Sequence, residues 1–351
     1  MKKAYLVLSN GMIFEGEAIG AEGEAAGEVV FNTSVVGYLE TLTDPCYAGQ
    51  IIVQTFPAMG NYGVIEEDFV GKCALRGYVV REICDTPSNF RSQYTLDRFL
   101  KEHNVPGICG VDTREITRII RENGVMNGII CTALPTDLSS IAGIETGGQV
   151  AALSIKEKEF FPAQGEKKYN VTLIDYSAKD ALIGALTSRG CDVTAVPYNT
   201  PASEILAANP DGVVLSDGPG DPAENTDCIK EVAELIGKVP VLGISLGHQL
   251  AALALGGETE KLTYGHRGGN QPVKDVFGTR TFITGQNHGY AVLADSLKGI
   301  GDETFVNAND GTNEGMSYPD KDCVTVQFAP GGDTAFIYDN FISMMGGKDN
   351  A

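Results

Sequence analysis

The stretch Val239-Pro240-Val241-Leu242-Gly243-Ile244-Ser245-Leu246-Gly247-His248-Gln249 decides how this chain is read. Its first half is an apolar run of strand length, and from Leu246 to Leu255 the apolar residues recur at helical spacing. Between the two stands Ser245, with Gly243 two residues before it and Gly247 two residues after. Glycines at those positions permit a sharp strand-to-helix turn. Such an elbow exposes its central side chain and aims the first helix amides at a developing oxyanion. Taken literally, G-x-S-x-G is the serine-hydrolase motif. A tight turn around a small buried hydroxyl spells the same five letters.

Outward from the elbow, the text after Tyr169 alternates strand and helix. NVTLIDY, CDVTAVP, DGVVLS and VPVLGI read as strands, and 178–188, 202–208, 223–236 and 246–255 as helices. Alternation of this kind implies right-handed βαβ units on a mainly parallel sheet flanked by helices, with ligands bound at the carboxyl ends of the strands. The loop after DGVVLS is Ser216-Asp217-Gly218-Pro219-Gly220-Asp221-Pro222. Its glycines let backbone approach a ligand closely, and Asp221 is placed to cap the next helix with Pro222 in the first turn. The same letters include G-x-G-x-x-A, but this loop opens the third βα unit rather than the first and lacks the acidic partner of a dinucleotide site. No G-x-x-x-x-G-K-[ST] occurs, so no ATP loop is expected in this chain.

Residues 1–150 read as a separate mixed β/α domain. AYLVLS, EVVFNTS, IIVQTF and ALRGYVVRE are strand-like, while 95–104 and 113–123 carry helical spacing. Thr113 is the expected cap of the second helix and Gly124 its stop. From 141 to 168 periodicity fades through GIETGGQ and KEKEFFPAQGEKK. The expected plan is therefore an N-terminal domain over 1–150, a linker over 151–168 and an α/β domain over 169–351.

A net charge of −20 opposes phosphate backbones and anionic lipid, so nucleic acid and membrane are poor partners, whereas a basic protein surface suits it. MKKAYLVLSNGMIFEG has too short an apolar run for a signal peptide and reads as a first strand. No stretch approaches the roughly 18 apolar residues of a membrane span. The eight cysteines are scattered with no CxxC pair, which predicts free thiols in a reducing cytoplasm and no metal centre.

Taken together, the loops S-D-G-P-G-D-P and G-I-S-L-G-H-Q resemble those of class I glutamine amidotransferases, which have Cys where Ser245 stands. Tyr264-Gly265-His266-Arg267-Gly268-Gly269-Asn270-Gln271-Pro272-Val273 and Gln286-Asn287-His288-Gly289-Tyr290 are similar to carbamoyl-phosphate synthetase small subunits in particular. The first half agrees, through Gly27-Glu28-Val29-Val30-Phe31-Asn32-Thr33-Ser34, Leu42-Thr43-Asp44-Pro45, Gly60-Asn61-Tyr62-Gly63 and Val111-Asp112-Thr113-Arg114. The resemblance implies a glutaminase in which a thiolate attacks the glutamine amide, a His serves as base and acid, and a Glu orients that His. It implies that ammonia passes to a large subunit, which uses ATP to make carbamoyl phosphate for pyrimidines and arginine.

Against that pattern this chain departs at all three catalytic positions. Ser245 stands at the nucleophile. In Val326-Gln327-Phe328-Ala329-Pro330-Gly331, Ala329 replaces the family His and Gly331 the family Glu, and the next few residues of the family pattern are missing before Asp333. Gly218, Gly220, Leu246, Gln249, Asn287, Gly289 and Tyr290 match glutamine-contacting positions, and Cys46 stands where the family has a contacting Ser. They leave weak L-glutamine binding open, and they equally shape the fold. His266 and His288 are expected to sit in Gly-rich loops, they and His248 to have a structural or interface role, and His103 to lie at a helix end on the surface. The expectation is a hydrolysis-defective structural or regulatory subunit partnered with the synthetase large chain. The alternatives are a serine hydrolase using Ser245 with His266 or with His288, the latter paired with Asp275, and a paralogue recruited to another partner.

Overall fold

In a computed structural model the chain divides into two compact units, Met1–Gln149 and Val150–Ala351. The structure describes residues 2–135, 137, 139–144 and 147–346. Glu145 and Thr146, part of the stretch read as aperiodic, lie outside the described residues.

The first unit is a closed seven-stranded barrel, in the order Lys3–Leu8, Ile13–Gly20, Pro106–Cys109, Gly77–Val79, Gln50–Gln54, Ala25–Asn32 and Met126–Cys131. Three neighbouring pairs within it are parallel. Parallel strands covered on both sides carry near-continuous apolar runs, and Ile51, Ile52 and Val53 are fully buried. The helix Leu96–Glu102 lays Leu96, Phe99 and Leu100 into the same apolar cluster as Ile19, Val30, Ile52 and Tyr78.

The structure corrects two local expectations in this unit. The helix Thr113–Asn123 is capped by Asp112, not Thr113: the Asp112 carboxylate accepts from the Arg114 and Glu115 amides at 3.2 and 3.0 Å. ALRGYVVRE is not one strand but two short ones, Gly77–Val79 and Glu82–Ile83, which pair in different sheets.

The second unit is built on a ten-stranded sheet. Its parallel half runs Cys191–Pro197, Tyr169–Asp175, Gly212–Leu215, Val241–Ile244, Cys323–Val326. Beyond it the sheet turns antiparallel through Asn313–Tyr318, Asp302–Asn307, Glu258–Asp275 and Thr281–Leu293. In the parallel half successive side chains leave opposite faces. Val213 and Leu215 join one core with Val232, Leu246 and Leu250, while Val214 joins the other with Leu182, Leu186, Ile337 and Phe341. Helices thus cover both faces, and the loops of interest leave the carboxyl ends of two adjacent parallel strands.

The stretch read as a linker is partly structured. Gln149–Leu153 is helical, and Glu159–Phe161 adds an antiparallel edge strand against Cys191–Pro197. Three residues are too few to show an alternation in sequence, so the pairing is set by the neighbouring strand. Asp221 does act as a cap, accepting from the Ala223 amide at 2.9 Å, but the element it caps is a single 3-10 turn; the α-helix begins at Thr226.

Replacing Asp112 with Ala is expected to cost about 1 kcal/mol, the usual worth of an N-cap. Urea denaturation of the two proteins side by side measures it, and an unchanged midpoint would refute the capping assignment.

Candidate functional site

The elbow is enforced by contact. A Cβ on Gly243 would fall 2.7 Å from the Gly247 carbonyl oxygen, and one on Gly247 would collide with the Leu215 carbonyl oxygen. Only hydrogen fits at either place, so strand, turn and helix Leu246–Ala254 are seated against the neighbouring strand. The Gly247 amide donates to the Ser216 carbonyl at 3.1 Å, which ties the elbow to the Gly218–Gly220 loop. Ser245 is left with φ 51° and ψ −105°, a conformation rare for a residue with a side chain.

Around Ser245 the expected chemistry is not assembled. The Ser245 Oγ receives a long hydrogen bond, 3.4 Å, from the Gln327 amide, and Gln327 Oε1 in turn accepts from Gln249 Nε2 at 2.9 Å. Gln249 Nε2 also donates to the Tyr290 carbonyl at 2.8 Å. An amide beside a hydroxyl is no base. His248, one turn along the elbow helix, is fully buried; its Nδ1 faces Thr325 Oγ1 at 2.7 Å, and burial pushes its pKa down to about 3.

His266 and His288 do not sit in loops, as their glycine-rich surroundings imply, but face each other on the paired strands Glu258–Asp275 and Thr281–Leu293, with ring centroids 4.9 Å apart. His288 lies with Nδ1 at 2.8 Å from the Tyr290 carbonyl and Nε2 at 3.0 Å from Gln286 Oε1. Burial, helped by His266 and Arg267 nearby, lowers its pKa well below the usual histidine value. His266 Nε2 donates to Asp310 at 2.8 Å. Burial pulls the pKa of His266 down, but the Glu314 and Asp310 carboxylates outweigh it and hold it above the usual value. Asp275 binds the Phe277 and Gly278 amides of a hairpin turn. The serine-hydrolase arrangement is therefore not formed: each candidate base is engaged elsewhere, and Asp275 holds a turn.

The remaining candidate residues divide into those that shape backbone and those that carry polar groups. Gly218 has no room for a side chain, since a Cβ would meet Leu246 Cδ2 at 2.7 Å and the Tyr176 carbonyl at 2.8 Å. Gly220 adopts φ +91°. Asn287 and Gly289 lie on the strand that carries His288, with Asn287 opposite Arg267. Cys46 belongs to the first unit, buried in a 3-10 turn, its amide donating to Asp44. Sequence reasoning gave Gln286 and Asp217 no role beyond their motifs and missed Glu314 and Lys179; Lys179 pairs with Asp217 at 2.9 Å where the Ser216–Pro222 loop begins. For a metal, the one group of suitable side chains among the described residues is His266, His288 and Glu314, whose ligand atoms lie within 4.8 Å of one another. All three side chains are already hydrogen-bonded to protein.

Comparison with known proteins agrees with this architecture. The family model "Carbamoyl-phosphate synthase small chain, CPSase domain" matches residues 6–130, and "Glutamine amidotransferase class-I" matches residues 172–333. The chain is 45% identical to the carbamoyl phosphate synthase small chain of Listeria monocytogenes serotype 4b, an alignment covering 99% of this chain and 98% of that one. It is 44% identical to the small chain of Clostridium perfringens, with 97% and 99% covered, and 44% identical to that of Methanopyrus kandleri, again with 97% and 99% covered. The chain belongs to the carbamoyl-phosphate synthase small-chain family.

Within that family frame the segment after Val326 has a definite course. The Ala329 amide donates to the Gly285 carbonyl at 3.1 Å in an isolated bridge, and the Ala329 side chain is exposed. Gly331 is exposed and extended, and a Cβ there would meet nothing within 4 Å. Both positions, which the sequence reading set at the family's His and Glu, leave open space for a side chain.

Ser245→Gly is expected to stabilise the protein by roughly 1 kcal/mol. Relief of an unusual backbone conformation is worth about 1–3 kcal/mol, and the added chain entropy of glycine takes back about 0.4–1 kcal/mol. Thermal denaturation reads the difference; a lower melting temperature for the variant would contradict strain at the elbow.

Proposed function

We propose that this chain is a small subunit that assembles with a carbamoyl-phosphate synthase large subunit but does not itself hydrolyse glutamine. The observation that carries the reading is the company of Ser245: its hydroxyl meets the Gln327 amide, while Ala329 and Gly331 occupy the positions of the family's base and its orienting acid. A serine hydroxyl needs a base within reach to become a nucleophile. Loss of a nucleophile or base from such a triad lowers turnover about a million-fold, equivalent to roughly 8 kcal/mol of barrier. Ammonia from solution would then feed the large subunit, where ATP is expected to bind, and the product would serve pyrimidine and arginine synthesis.

Two further observations support the partner half of the reading. The barrel unit keeps a family match over residues 6–130 although no catalytic residue of the glutaminase pattern lies in it. All eight cysteines are unpaired, which fits a cytoplasmic setting. Glutamine binding without turnover is compatible with the retained Gly218, Gly220, Leu246, Gln249, Asn287, Gly289 and Tyr290, with Cys46 as the altered position.

The complex with a large subunit is expected to make carbamoyl phosphate from ammonium and not from glutamine. Co-expression and co-purification, followed by assay with each nitrogen source, test both halves. No complex at low salt would sink the partner assignment and favour a paralogue serving some other protein, while glutamine-dependent product would sink the inactive assignment.

Ser245→Cys alone is expected to leave glutamine hydrolysis at background. A thiol at a helix N-terminus becomes more acidic, yet no residue stands ready to protonate the leaving ammonia. Brisk ammonia release by this single variant, measured with a coupled dehydrogenase, would expose a base among the buried histidines.

A further inference from the structure

Behind the elbow the second unit gathers metal-ligating side chains from three antiparallel strands. His266 stands on Glu258–Asp275, His288 opposite it on Thr281–Leu293, and Glu314 on Asn313–Tyr318. All three side chains are buried, and each offers a ligand atom within 4.8 Å of the other two. The ladder shifts register on both sides of His266, and bulges of this kind re-aim side chains.

The outer nitrogen of each ring is committed to protein. His288 Nδ1 lies 2.8 Å from the Tyr290 carbonyl, which only accepts, so the ring carries its hydrogen there and Nε2 is bare. Burial disfavours a charged ring at this place. His266 Nε2 donates to the Asp310 carboxylate at 2.8 Å, which leaves Nδ1 facing Glu314 Oε1 at 3.5 Å. Gln286 adds a fourth atom. Thr284 gives its hydroxyl hydrogen to the Gln271 carbonyl and therefore accepts from Gln286 Nε2 at 3.1 Å. The same Nε2 donates to Glu314 Oε2 at 2.8 Å. With the amide held that way, Gln286 Oε1 points at the bare His288 Nε2 from 3.0 Å. Two lone pairs at such a distance repel each other unless a cation lies against both.

We infer that His266 Nδ1, His288 Nε2, Glu314 and Gln286 Oε1 form a structural site for one divalent transition-metal ion of the zinc class, fastening the three strands together behind Ser245. Two imidazoles with a carboxylate and an amide oxygen suit zinc, whereas magnesium and calcium take oxygen ligands. The surroundings have the outer shell of such a centre. A metal-bound His hands its other N–H to a carboxylate or a backbone carbonyl, and a ligating carboxylate is itself hydrogen-bonded. Asp310 and the Tyr290 carbonyl serve the two rings in this way, and Asn307 Nδ2 and Gln286 Nε2 serve Glu314 at 2.9 and 2.8 Å. The ion leaves those bonds in place and displaces only the long Asn307–His266 contact of 3.4 Å.

Geometry and charge agree with this assignment. Ligand atoms around a tetrahedral ion with bonds of about 2.1 Å stand about 3.4 Å apart. The His266–Glu314 edge has nearly that length already, and the longest edge closes by about 1.4 Å. Glu314 and Asp310, on either side of His266, offset the two charges of the ion; Arg267, whose charge also reaches His288, donates to the Tyr264 carbonyl at 2.6 Å. With four protein ligands the site is of the closed, structural type. The Tyr290 carbonyl that accepts from His288 also accepts from Gln249, which holds Gln327 beside Ser245, so the ion steadies the elbow from behind.

The test takes tag-free, full-length protein stripped with a chelator and titrated with zinc or cobalt(II). Calorimetry and elemental analysis after gel filtration should find one ion per chain, and the melting temperature should rise in its presence. Cobalt should give the visible bands of a tetrahedral nitrogen and oxygen site, without the near-ultraviolet thiolate absorption that binding to the free cysteines produces. Glu314→Gln removes the anionic ligand and should abolish stoichiometric binding. Because a substitution at so buried a place can unfold the chain, Asp310→Asn provides a second arm. Asp310 is partly exposed and touches His266 rather than the ion; its replacement should weaken zinc binding about ten- to a hundredfold while circular dichroism stays unchanged. No stoichiometric ion in the wild type overturns the proposal, as do thiolate bands with cobalt or an Asp310→Asn variant that binds as tightly as the wild type.

Discussion

The second unit depends on the approach of Gly247 to the Leu215 carbonyl, which leaves no room for a side chain. That approach seats the helix Leu246–Ala254 directly on two parallel strands and ties the elbow to the Ser216–Pro222 loop. At the turn Ser245 takes a rare backbone conformation, and its side chain is buried rather than exposed as the elbow motif implies. None of this needs a nucleophile. The elbow is a packing solution first, and Ser245 stands at its turn.

Around this apolar constraint lies a polar one. Gln249, Gln327, Gln286, His288 and Glu314 fill the junction where the parallel half of the sheet turns antiparallel. Packing alone does not fix amides and imidazoles, since they retain several orientations of similar shape; hydrogen bonds choose among them. The junction thereby gains a defined set of orientations, and the elbow's outer face inherits it.

Much of this was legible in sequence because it is local. The elbow pentapeptide, the βα alternation from Tyr169 onward and the helix Thr113–Asn123 each declare themselves within a dozen residues. What stayed hidden is non-local. Barrel closure depends on Met126–Cys131 meeting Lys3–Leu8 and Ala25–Asn32, a pairing no window contains. The segments bearing His266 and His288 read as loops because glycine and polar residues break their alternation, although each lies on a long strand. Glu314 passed unnoticed, and Gln286 was given no role of its own, because a buried polar residue has the same letter as an exposed one; only its neighbours reveal the difference. Asp112 took the capping role from Thr113 because two cap-compatible residues stand side by side, and the helix starts at the second of them.

The open surroundings of Gly331 and the exposure of Ala329 mean that folding sets no side chain at either place. A larger group there would stand in solvent, and its absence leaves no hollow. Gly243, Gly247 and Gly218 are in the opposite position, since any replacement collides with main chain or core. Packing therefore dictates the elbow glycines, while Ala329 and Gly331 can exchange side chains without any repacking of the core.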